Sequence, residues 1–361
     1  MSLSMDPDIA TAKTLPVDFY LSSDYYEQSK EKIFARTWQW AGNTDSLNRP
    51  ESATPLALLE QFMDEPLLLT KDKLGKIHCL SNVCTHRGNL LIEKPCQLHD
   101  IRCKYHGRRF HLDGKFMSMP EFREVKNFPT EADNLTSVQL HSMGKWLFTS
   151  LQPVQPADFF FQDINTRVGW MPFDSFTFRP DLSKDYFVDA HWALYCENYL
   201  EGFHIPFVHA GLNSVIDYGN YSVEMFPYSS LQLGIAREGE LIFDLPPASA
   251  DYGKKIAGYY FWVFPNLMFN FYPWGLSLNV IEPIGIQRTK VRFLSYVWDE
   301  SKLQMGAGGD LHQVELEDEE IVQNVQKGIR SRYYQFGRYS VTREMGTHHF
   351  HCLIASFMNQ A

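Results

Sequence analysis

The pattern of apolar and polar positions changes along the chain. From about residue 42 to 150, short apolar runs are separated by turn signals, and Asp113-Gly114 marks a hairpin turn between two of them. Further on, residues 258–273 form a long aromatic, β-prone stretch, and residues 289–298 alternate apolar with polar side chains. These segments predict strands, whereas about the last 50 residues have the pattern of helices.

The order of these patterns predicts an α+β protein. Residues 20–41 read as a helix, and the Pro-rich stretch 151–157 suits a domain boundary. We therefore expect three parts: an N-terminal helical segment over 1–41 that packs on the larger domain, a small all-β domain over 42–155, and the larger domain over 156–361. In the larger domain we expect an antiparallel sheet covered by helices.

Composition narrows the class of function. A formal net charge of −10 and a pI of about 5.7 argue against nucleic acid or an anionic membrane as the main partner. No apolar run reaches 18 residues, so we expect no membrane span, and the first residues lack the basic and apolar parts of a secretory signal. Six cysteines are too few for a disulfide scaffold here, so we expect a cytoplasmic protein whose paired cysteines bind metal or take part in catalysis.

Two short loops each offer one thiolate and one imidazole. The pattern is Cys84-x-His86, then 16 residues, then Cys103-x-x-His106. Zinc accepts two Cys and two His, but zinc fingers place both Cys before both His. The mixed loops favour a [2Fe–2S] cluster in which one iron takes both thiolates and the other both imidazoles, which raises the reduction potential to roughly −150 to +300 mV.

The stretch CTHRGNLL…CKYHGRRFHLDG resembles the Rieske domain of Rieske-type non-haem iron oxygenases. Gly88 and Gly107 follow the ligands closely, where tight loops around a cluster need small residues. Arg108 departs from the Trp often found after YHG in this family, at a position that flanks the cluster. We expect the cysteines and histidines without paired spacing to be ordinary packed or surface residues: Cys79, Cys96, His78 and His99.

A second set of metal-binding side chains follows in CENYLEGFHIPFVHAG, residues 196–211. Two His and one carboxylate on one face make a ferrous site with positions open for O2. His204 and His209 are five residues apart, so on one straight helix they would point about 140° away from each other. Pro206 ends or kinks the first helix and suits the first turn of the next, which lets the two imidazoles converge.

This segment resembles the N-x-x-D/E-x-x-H-x-x-x-x-H stretch of the same family, which places Asn198 and Glu201 beside the two histidines. The resemblance implies that Glu201 is not a ligand. It would link an iron-ligating His to a cluster-ligating His of the neighbouring subunit, where electrons cross. The resemblance also implies a homotrimer, since cluster and iron within one subunit are usually too far apart.

The third iron ligand should be a carboxylate in HQVELEDEEIVQNVQKGI, which reads as a helix. Its apolar stripe is defined by Val314, Ile321, Val322, Val325 and Ile329. Asp318 falls near the middle of that stripe, Glu317 well off it, and Glu319 and Glu320 on the far side. A carboxylate on a core-facing stripe is costly unless it is paired or binds metal. We predict Asp318 as the ligand, with Glu317 as the alternative.

The resemblance implies the terminal oxygenase of a multicomponent system. A separate NAD(P)H-dependent reductase of ferredoxin or flavin type would supply electrons, and O2 activated at Fe(II) would hydroxylate a small organic substrate or remove an N-methyl group. GAGGD at 306–310 lacks the strand and spacing of G-x-G-x-x-G, so we expect no bound nucleotide. The other classes are a Rieske electron carrier without oxygenase activity and a zinc-stabilised binding module.

The end of the chain narrows the substrate. GRY, Glu344 and HHFHCLI resemble choline monooxygenases and related quaternary-amine oxygenases, which implies a choline- or betaine-like substrate; an aromatic acid or ring is the alternative. Aromatic rings favour a trimethylammonium group, although such strands more often build core. The candidate rings are Phe261, Trp262, Phe264, Phe269, Phe271, Tyr272 and Trp274. The histidines expected to pack and hydrogen-bond rather than bind metal are His348, His349 and His351.

Overall fold

The computed structural model describes residues 3–360 and divides into two compact units. The β unit spans residues 35–154, and the large unit combines residues 3–34 with 155–360. The β unit therefore begins seven residues before the predicted boundary at 42 and ends at 154 rather than 155. No helix in the described range is long and apolar enough to cross a membrane.

The β unit contains the short strands that the turn signals predict. Within the described residues its strands are β1 Gln39–Asn43, β2 Ser52–Leu58, β3 Glu65–Lys71, β4 Ile77–Ser81, β5 Cys96–Gln97, β6 Ile101–Arg102, β7 Arg109–Phe110, β8 Phe116–Ser118, β9 Ser137–Met143 and β10 Trp146–Ser150. Seven form one antiparallel sheet in the order β1-β10-β9-β4-β3-β2-β5, and β6-β7-β8 form a second. The predicted hairpin at Asp113-Gly114 joins β7 to β8, and Gly114 has a φ of 86° that favours glycine.

The helix predicted over residues 20–41 was wrong in its last part, where the chain forms strand β1. The chain is helical at α1 Asp18–Leu21 and α2 Ser23–Lys32, but Gln39–Asn43 is a strand. Trp40 of that strand pairs with Phe148 of β10, and a register shift between Trp40 and Gly42 marks a bulge. Pairing across the sheet has overridden the local helical pattern, because β-branched and aromatic residues gain more from a half-buried sheet than from a helix end.

The large unit is an antiparallel sheet with helices on it, as predicted. Its strands in the described range are β11 Thr177–Phe178, β12 Lys184–Val188, β13 Ser222–Met225, β14 Ser229–Ile235, β15 Ile256–Val263, β16 Leu267–Tyr272, β17 Gly275–Gly285 and β18 Arg288–Val297. They run in the order β11-β18-β17-β16-β15-β14-β13, with β12 also paired to β18. The fold class is therefore α+β, and the aromatic and alternating stretches are strands as predicted.

Within residues 3–360 the large unit has six further α-helices. They are α3 Asp158–Val168, α4 Trp192–Tyr199, α5 Ile205–Val208, α6 Ala210–Val215, α7 Leu311–Gly328 and α8 Met345–Asn359. Helix α8 packs on the sheet through Phe350, whose ring lies 5.1 Å from that of Trp262 on β15. His191 is the N-cap of helix α4, and its Nδ1 accepts from the Ala193 amide at 3.3 Å. Helices α4 and α7 contact each other and carry several side chains of the candidate site in the large unit.

Candidate active site

The two predicted cluster loops are closed by the same backbone hydrogen bonds. In each loop the cysteine carbonyl accepts from the amide of the glycine four residues on, Cys84 from Gly88 and Cys103 from Gly107, both at 3.0 Å. Each cysteine amide donates to the carbonyl five residues on, at 2.9 Å in the first loop and 2.8 Å in the second. Both glycines have positive φ, 68° and 74°, as their place in the loops predicts. The loops therefore share one backbone closure despite different Cys–His spacings.

The four potential ligand side chains of these loops differ in burial. Cys84 and Cys103 are each 2% exposed and lie in the apolar core of the β unit, whereas His106 is exposed and His86 half-buried. The imidazole rings lie 4.8 Å apart. Burial raises the pKa of the Cys84 thiol, and the neighbouring Cys103 thiol raises it further. Thiols on the inner side and imidazoles on the outer side are the donor set that a [2Fe–2S] cluster with one thiolate-bound and one imidazole-bound iron requires.

Arg108, the position that departs from the family pattern, is a buried cation beside the second loop. It is 2% exposed, and its Nη2 lies 2.6 Å from Oδ1 of Asp133. The guanidinium lies 5.0 to 5.7 Å from the ring centroids of Phe110, Phe116 and Phe128. Its positive charge opposes the burial that raises the pKa of the Cys84 thiol. A fixed positive charge therefore lies close enough to act on the cluster ligands.

The unpaired cysteines and histidines of this region are packing or surface residues, as predicted. Cys79 is buried in the core of the β unit and Cys96 is exposed. His78 and His99 each contact a carboxylate, at 3.0 and 2.8 Å. Within the described part of the chain they do not join a group of possible metal ligands.

In the large unit, His204, His209 and Asp318 point their donor atoms at one place. The two Nε2 atoms are 3.1 Å apart, and Oδ1 of Asp318 lies 3.0 Å from Nε2 of His209 and 3.6 Å from Nε2 of His204. His204 precedes α5 and His209 follows it, with Pro206 in the first turn of this short helix. The predicted break at Pro206 is present, and the three donor atoms lie within 4.8 Å of one another.

The opposite nitrogen of each imidazole is held by a carboxylate. Nδ1 of His204 lies 2.7 Å from Oε1 of Glu201, and Nδ1 of His209 lies 2.7 Å from Oε2 of Glu317. This arrangement keeps the proton on Nδ1 and turns the Nε2 lone pair towards the converging point, as metal-binding histidines require. Burial disfavours a charged His209, but the hydrogen bonds and charges of Asp318 and Glu317 outweigh it and raise the pKa of His209.

Helix α7 carries the carboxylates that the sequence left open, and it separates their positions. Asp318 faces the two Nε2 atoms, whereas Glu317 lies on the far side of the His209 ring and also accepts from Gln313 at 2.9 Å. Glu317 is thus placed as a partner of the imidazole. Asp318 is further held by Asn198, whose Nδ2 donates to Oδ1 at 2.6 Å.

The predicted apolar stripe of α7 was partly wrong. Val322 and Ile329 are buried, but Ile321 and Val325 are 37% and 43% exposed. The buried face runs instead through Glu315, Val322, Gln326 and Ile329, with Asp318 half-buried. Polar residues occupy inward positions because they have partners on α4: Asn198 contacts Asp318, and one turn earlier the Tyr195 hydroxyl donates to Oε2 of Glu315.

Sequence reasoning missed Glu315, which is 1% exposed. Burial raises the pKa of its carboxyl well above the usual range, and the hydrogen bond from Tyr195 offsets only part of that effect. The available signal was spacing: Glu315 precedes Asp318 by three residues and Val322 by seven, which places all three on one face.

The three converging donor atoms open into a cavity of about 100 Å³ inside the large unit. Its aromatic lining consists of Tyr195, Tyr199, Tyr221, Tyr260, Tyr272 and Phe293. Of the seven candidate rings, that of Tyr272 lines this cavity, and the other six are buried core, as such strands were expected to be. Alternation explains this division, because Asn270 and Tyr272 on β16 face the cavity while Phe269 and Phe271 face the other side.

The C-terminal histidines have structural roles, as predicted. His348 Nε2 lies 2.8 Å from the carbonyl of Asp6, and His351 is fully buried with its Nδ1 2.5 Å from the hydroxyl of Tyr339. His349 is not exposed, and burial lowers its pKa. They are not part of a possible metal-binding group among residues 3–360.

Comparison with known proteins assigns two parts of the chain to known protein families. Residues 173–360, more than half of the chain, match the family described as ring hydroxylating alpha subunit (catalytic domain), and residues 37–129 match the Rieske [2Fe-2S] domain. The chain belongs to the Rieske-type ring-hydroxylating oxygenases, as an alpha subunit. It is therefore an enzyme of the Rieske non-haem iron oxygenase class, with a Rieske [2Fe–2S] domain and the catalytic domain of mononuclear iron oxygenases.

The relatives of this Rieske oxygenase include enzymes named for quaternary amines. The chloroplastic choline monooxygenase of Arabidopsis thaliana is 27% identical over 97% of this chain and 84% of its own. The carnitine monooxygenase oxygenase subunit of Escherichia coli K12 is 27% identical over 95% of this chain and 93% of its own.

Solved structures share the fold of this Rieske oxygenase. A quaternary ammonium Rieske monooxygenase, described with inter-subunit electron transfer, has a TM-score of 0.77 at 23% identity and covers 99% of this chain and 100% of its own. Naphthalene 1,2-dioxygenase has a TM-score of 0.71 at 14% identity, over 96% and 92%. At these identities the likeness concerns the fold alone.

Proposed function

We propose that this Rieske oxygenase is the terminal component of a multicomponent system and that it hydroxylates or N-demethylates a small quaternary amine of choline or betaine type. The observation that carries the proposal is the cavity, which joins the three converging donor atoms to a wall of aromatic rings. Rings of this kind favour cationic ligands. Relatives named choline and carnitine monooxygenases support the same substrate class.

The residue roles follow from the donor chemistry. Cys84, His86, Cys103 and His106 would hold the [2Fe–2S] cluster. Fe(II) would be held by His204, His209 and Asp318, and its chemistry when bound is the activation of O2. The protein orients these donors through carboxylates and an amide: Glu201 on His204, Glu317 on His209 and Asn198 on Asp318.

The cavity gives the protein a second role besides holding the metal. Its aromatic walls exclude water from the reacting C–H bond and hold the substrate beside the metal-facing donors. A volume of about 100 Å³ suits a small molecule, since drug-sized ligands fill roughly 300–1,000 Å³.

We further propose the partners and setting expected from the family: a homotrimer, a separate NAD(P)H-dependent reductase of ferredoxin or flavin type, and a cytoplasmic location. Glu201 would provide the contact between His204 and the cluster of a neighbouring subunit. Support comes from the related quaternary ammonium monooxygenase that is described with inter-subunit electron transfer. Sedimentation analysis of the holoenzyme tests the trimer, and a monomer with full activity would refute it.

The alternatives fit the site less well. An aromatic acid would have only the iron itself as a cation for its carboxylate, because no Lys or Arg lines the cavity within residues 3–360. A pure electron carrier would have no use for the triad and the cavity of the large unit.

The decisive experiment combines metal analysis with turnover. Holoenzyme with a surrogate reductase should consume O2 with choline, carnitine or betaines and not with benzoates, and demethylation should release formaldehyde. Asp318→Ala should lose one iron and all turnover while keeping its labile sulfide and red-brown colour. Absence of labile sulfide from the wild type, or turnover of benzoates alone, would overturn the proposal.

A further inference from the structure

Gln232 on β14 is a buried amide with one atom that has no hydrogen-bond partner. The residue lines the cavity and is 2% exposed. Its Nε2 donates to the carbonyl of Tyr199 at 2.6 Å, and its Oε1 is buried without a hydrogen-bond partner in the described part of the chain. A carbonyl oxygen can only accept, so the bond to Tyr199 identifies the nitrogen end of the amide. Oε1 is therefore the free end, and it requires a donor.

Gln232 belongs to a polar row that crosses an otherwise apolar sheet. It pairs with Tyr260 on β15, which pairs with Asn270 on β16, and Asn270 pairs in turn with Ser277 on β17. All four residues line the cavity. The residues before and after each of them in its strand are apolar or aromatic. Polar groups on a buried sheet are costly unless they form hydrogen bonds, so a row of this kind needs partners.

The other amide of the row is fully engaged. Asn270 donates to the Ser277 carbonyl at 3.1 Å, and its Oδ1 accepts from the Tyr199 hydroxyl at 2.9 Å. Of the two amides, only Gln232 has an acceptor left over among residues 3–360. Buried acceptors without a donor are rare in folded proteins and call for a ligand or water that completes them.

Gln232 is tied to the helix end that also holds an iron ligand. Tyr199, whose carbonyl accepts from Gln232, is the last residue of α4, and its neighbour Asn198 donates to Asp318 at 2.6 Å. A substrate group bound at Oε1 is therefore held at a fixed position relative to the iron ligands. The amide is uncharged, so its need for a donor does not depend on the charge of the bound iron.

We propose that Gln232 accepts a hydrogen bond from a hydroxyl group of the substrate, so that the enzyme selects quaternary amines that carry a hydroxyl. A quaternary ammonium head has no N–H, which leaves the hydroxyl as the donor for Oε1. A site built to bind a hydroxyl rejects the analogue without one, because its buried acceptor then stays unpaired. This inference rests on the proposed function for its quaternary-amine class. Within that class choline is accepted, whereas glycine betaine, which lacks a hydroxyl, is disfavoured.

Calorimetric binding to the holoenzyme without O2 tests the hydroxyl requirement directly. The probes are choline and ethyltrimethylammonium, which keeps the charged head and has hydrogen in place of the hydroxyl. We expect choline to bind about tenfold or more tightly than ethyltrimethylammonium. Equal affinities would overturn the inference. This comparison uses only the wild type, so it decides even where a variant fails to fold.

The variant Gln232→Met keeps the length of the side chain and removes its amide. We expect the choline affinity to fall about tenfold while that for ethyltrimethylammonium changes little. The ratio of the two affinities is the readout, because loss of the bond to Tyr199 would affect both ligands alike. Gln335→Met, the same change at an exposed position of the large unit, should leave the ratio as in the wild type. Equal losses for both ligands in Gln232→Met would show a merely structural role and overturn the inference.

Turnover of the same compounds separates failure of this inference from failure of the proposed function. Glycine betaine and ethyltrimethylammonium turned over as well as choline would leave the proposed function intact and refute the role of Gln232. Turnover of benzoate without turnover of any quaternary amine would refute the proposed function itself.

Discussion

Oε2 of Glu317 lies 2.7 Å from Nδ1 of His209, on the side of the ring away from Asp318. The carboxylate fixes the tautomer and the direction of the imidazole without facing the iron position. Glu317 and Asp318 are adjacent in the sequence but have different roles, because successive residues of a helix point about 100° apart. His204 has the same arrangement: Glu201 holds its Nδ1, and its Nε2 faces the iron position.

Replacing Glu317 by Gln should weaken iron binding in the large unit. The change removes the negative charge that orients His209 and supports its basicity, so we expect about 10- to 100-fold lower Fe(II) affinity. Titration of the iron-depleted protein, followed by metal analysis, measures it. Glu320→Gln, on the same helix and exposed, should bind iron like the wild type. An unchanged affinity in Glu317→Gln would refute the positioning role.

Arg108 should raise the reduction potential of the cluster. Reduction adds negative charge, which a buried guanidinium near Cys84 and Cys103 stabilises. Arg108→Gln should therefore have a lower midpoint potential in a spectroscopic redox titration. The neighbour Arg109, whose side chain is 43% exposed, offers a matched control. Arg109→Gln should shift the potential less, because solvent screens its charge. A higher potential in Arg108→Gln would contradict the expectation.

His191 should make the stability of the protein depend on pH. The ring is buried among aromatic side chains, and burial lowers its pKa from 6.5 to about 3. Below about pH 6.5, His191 therefore binds a proton in the unfolded chain, whereas it stays neutral in the folded protein down to about pH 3. Stability should be fully present above that pH and should fall as the pH drops towards 3.

Denaturant unfolding of wild type and His191→Asn at several pH values checks this expectation. Asparagine is a good N-cap and does not titrate, so it can replace the acceptor that begins helix α4. The variant should lose less stability than the wild type between pH 6.5 and 4. Parallel pH profiles would show that another group causes the dependence.

Asp251 should be essential for the stability of the large unit. It is 0% exposed and contacts Arg167 at 2.5 and 2.9 Å and Lys254 at 2.8 Å. Asp251→Asn leaves Glu224, which is 39% exposed, as the remaining counter-charge of the largely buried Arg167, and we expect a loss of about 3 kcal/mol in unfolding free energy. Asp181→Asn breaks an exposed pair with Arg179 and should cost no more than about 1 kcal/mol. Similar losses for both would refute the burial argument.

The sequence predicted which side chains come together better than it predicted what surrounds them. The spacing of Cys84, His86, Cys103 and His106 can be seen directly in the sequence, and Pro206 determines how His204 and His209 approach each other. Residues whose position depends on distant partners were harder. Glu315 is buried because Tyr195, 120 residues away, donates to it, and Trp40 is in a strand because it pairs with Phe148. Local patterns contain no record of such contacts.

The aromatic stretch shows the same limit on a smaller scale. Its β character could be predicted, but which alternate rings face the cavity depends on sheet register. A shift of one residue would have exposed Phe271 in place of Tyr272. The register is set by pairing of β16 with β15 and β17, which the stretch alone does not specify.

The matching hydrogen bonds of the two cysteine loops have an evolutionary consequence. Main-chain hydrogen bonds fix the position of each cysteine in its loop. A substitution leaves these hydrogen bonds in place unless it changes one of the two glycines or introduces proline. Neighbouring side chains can then drift without endangering assembly of the redox centre. A substitution such as Arg108 is therefore tolerated beside the cluster, and single substitutions at such positions can change the reduction potential of the cluster in the course of evolution.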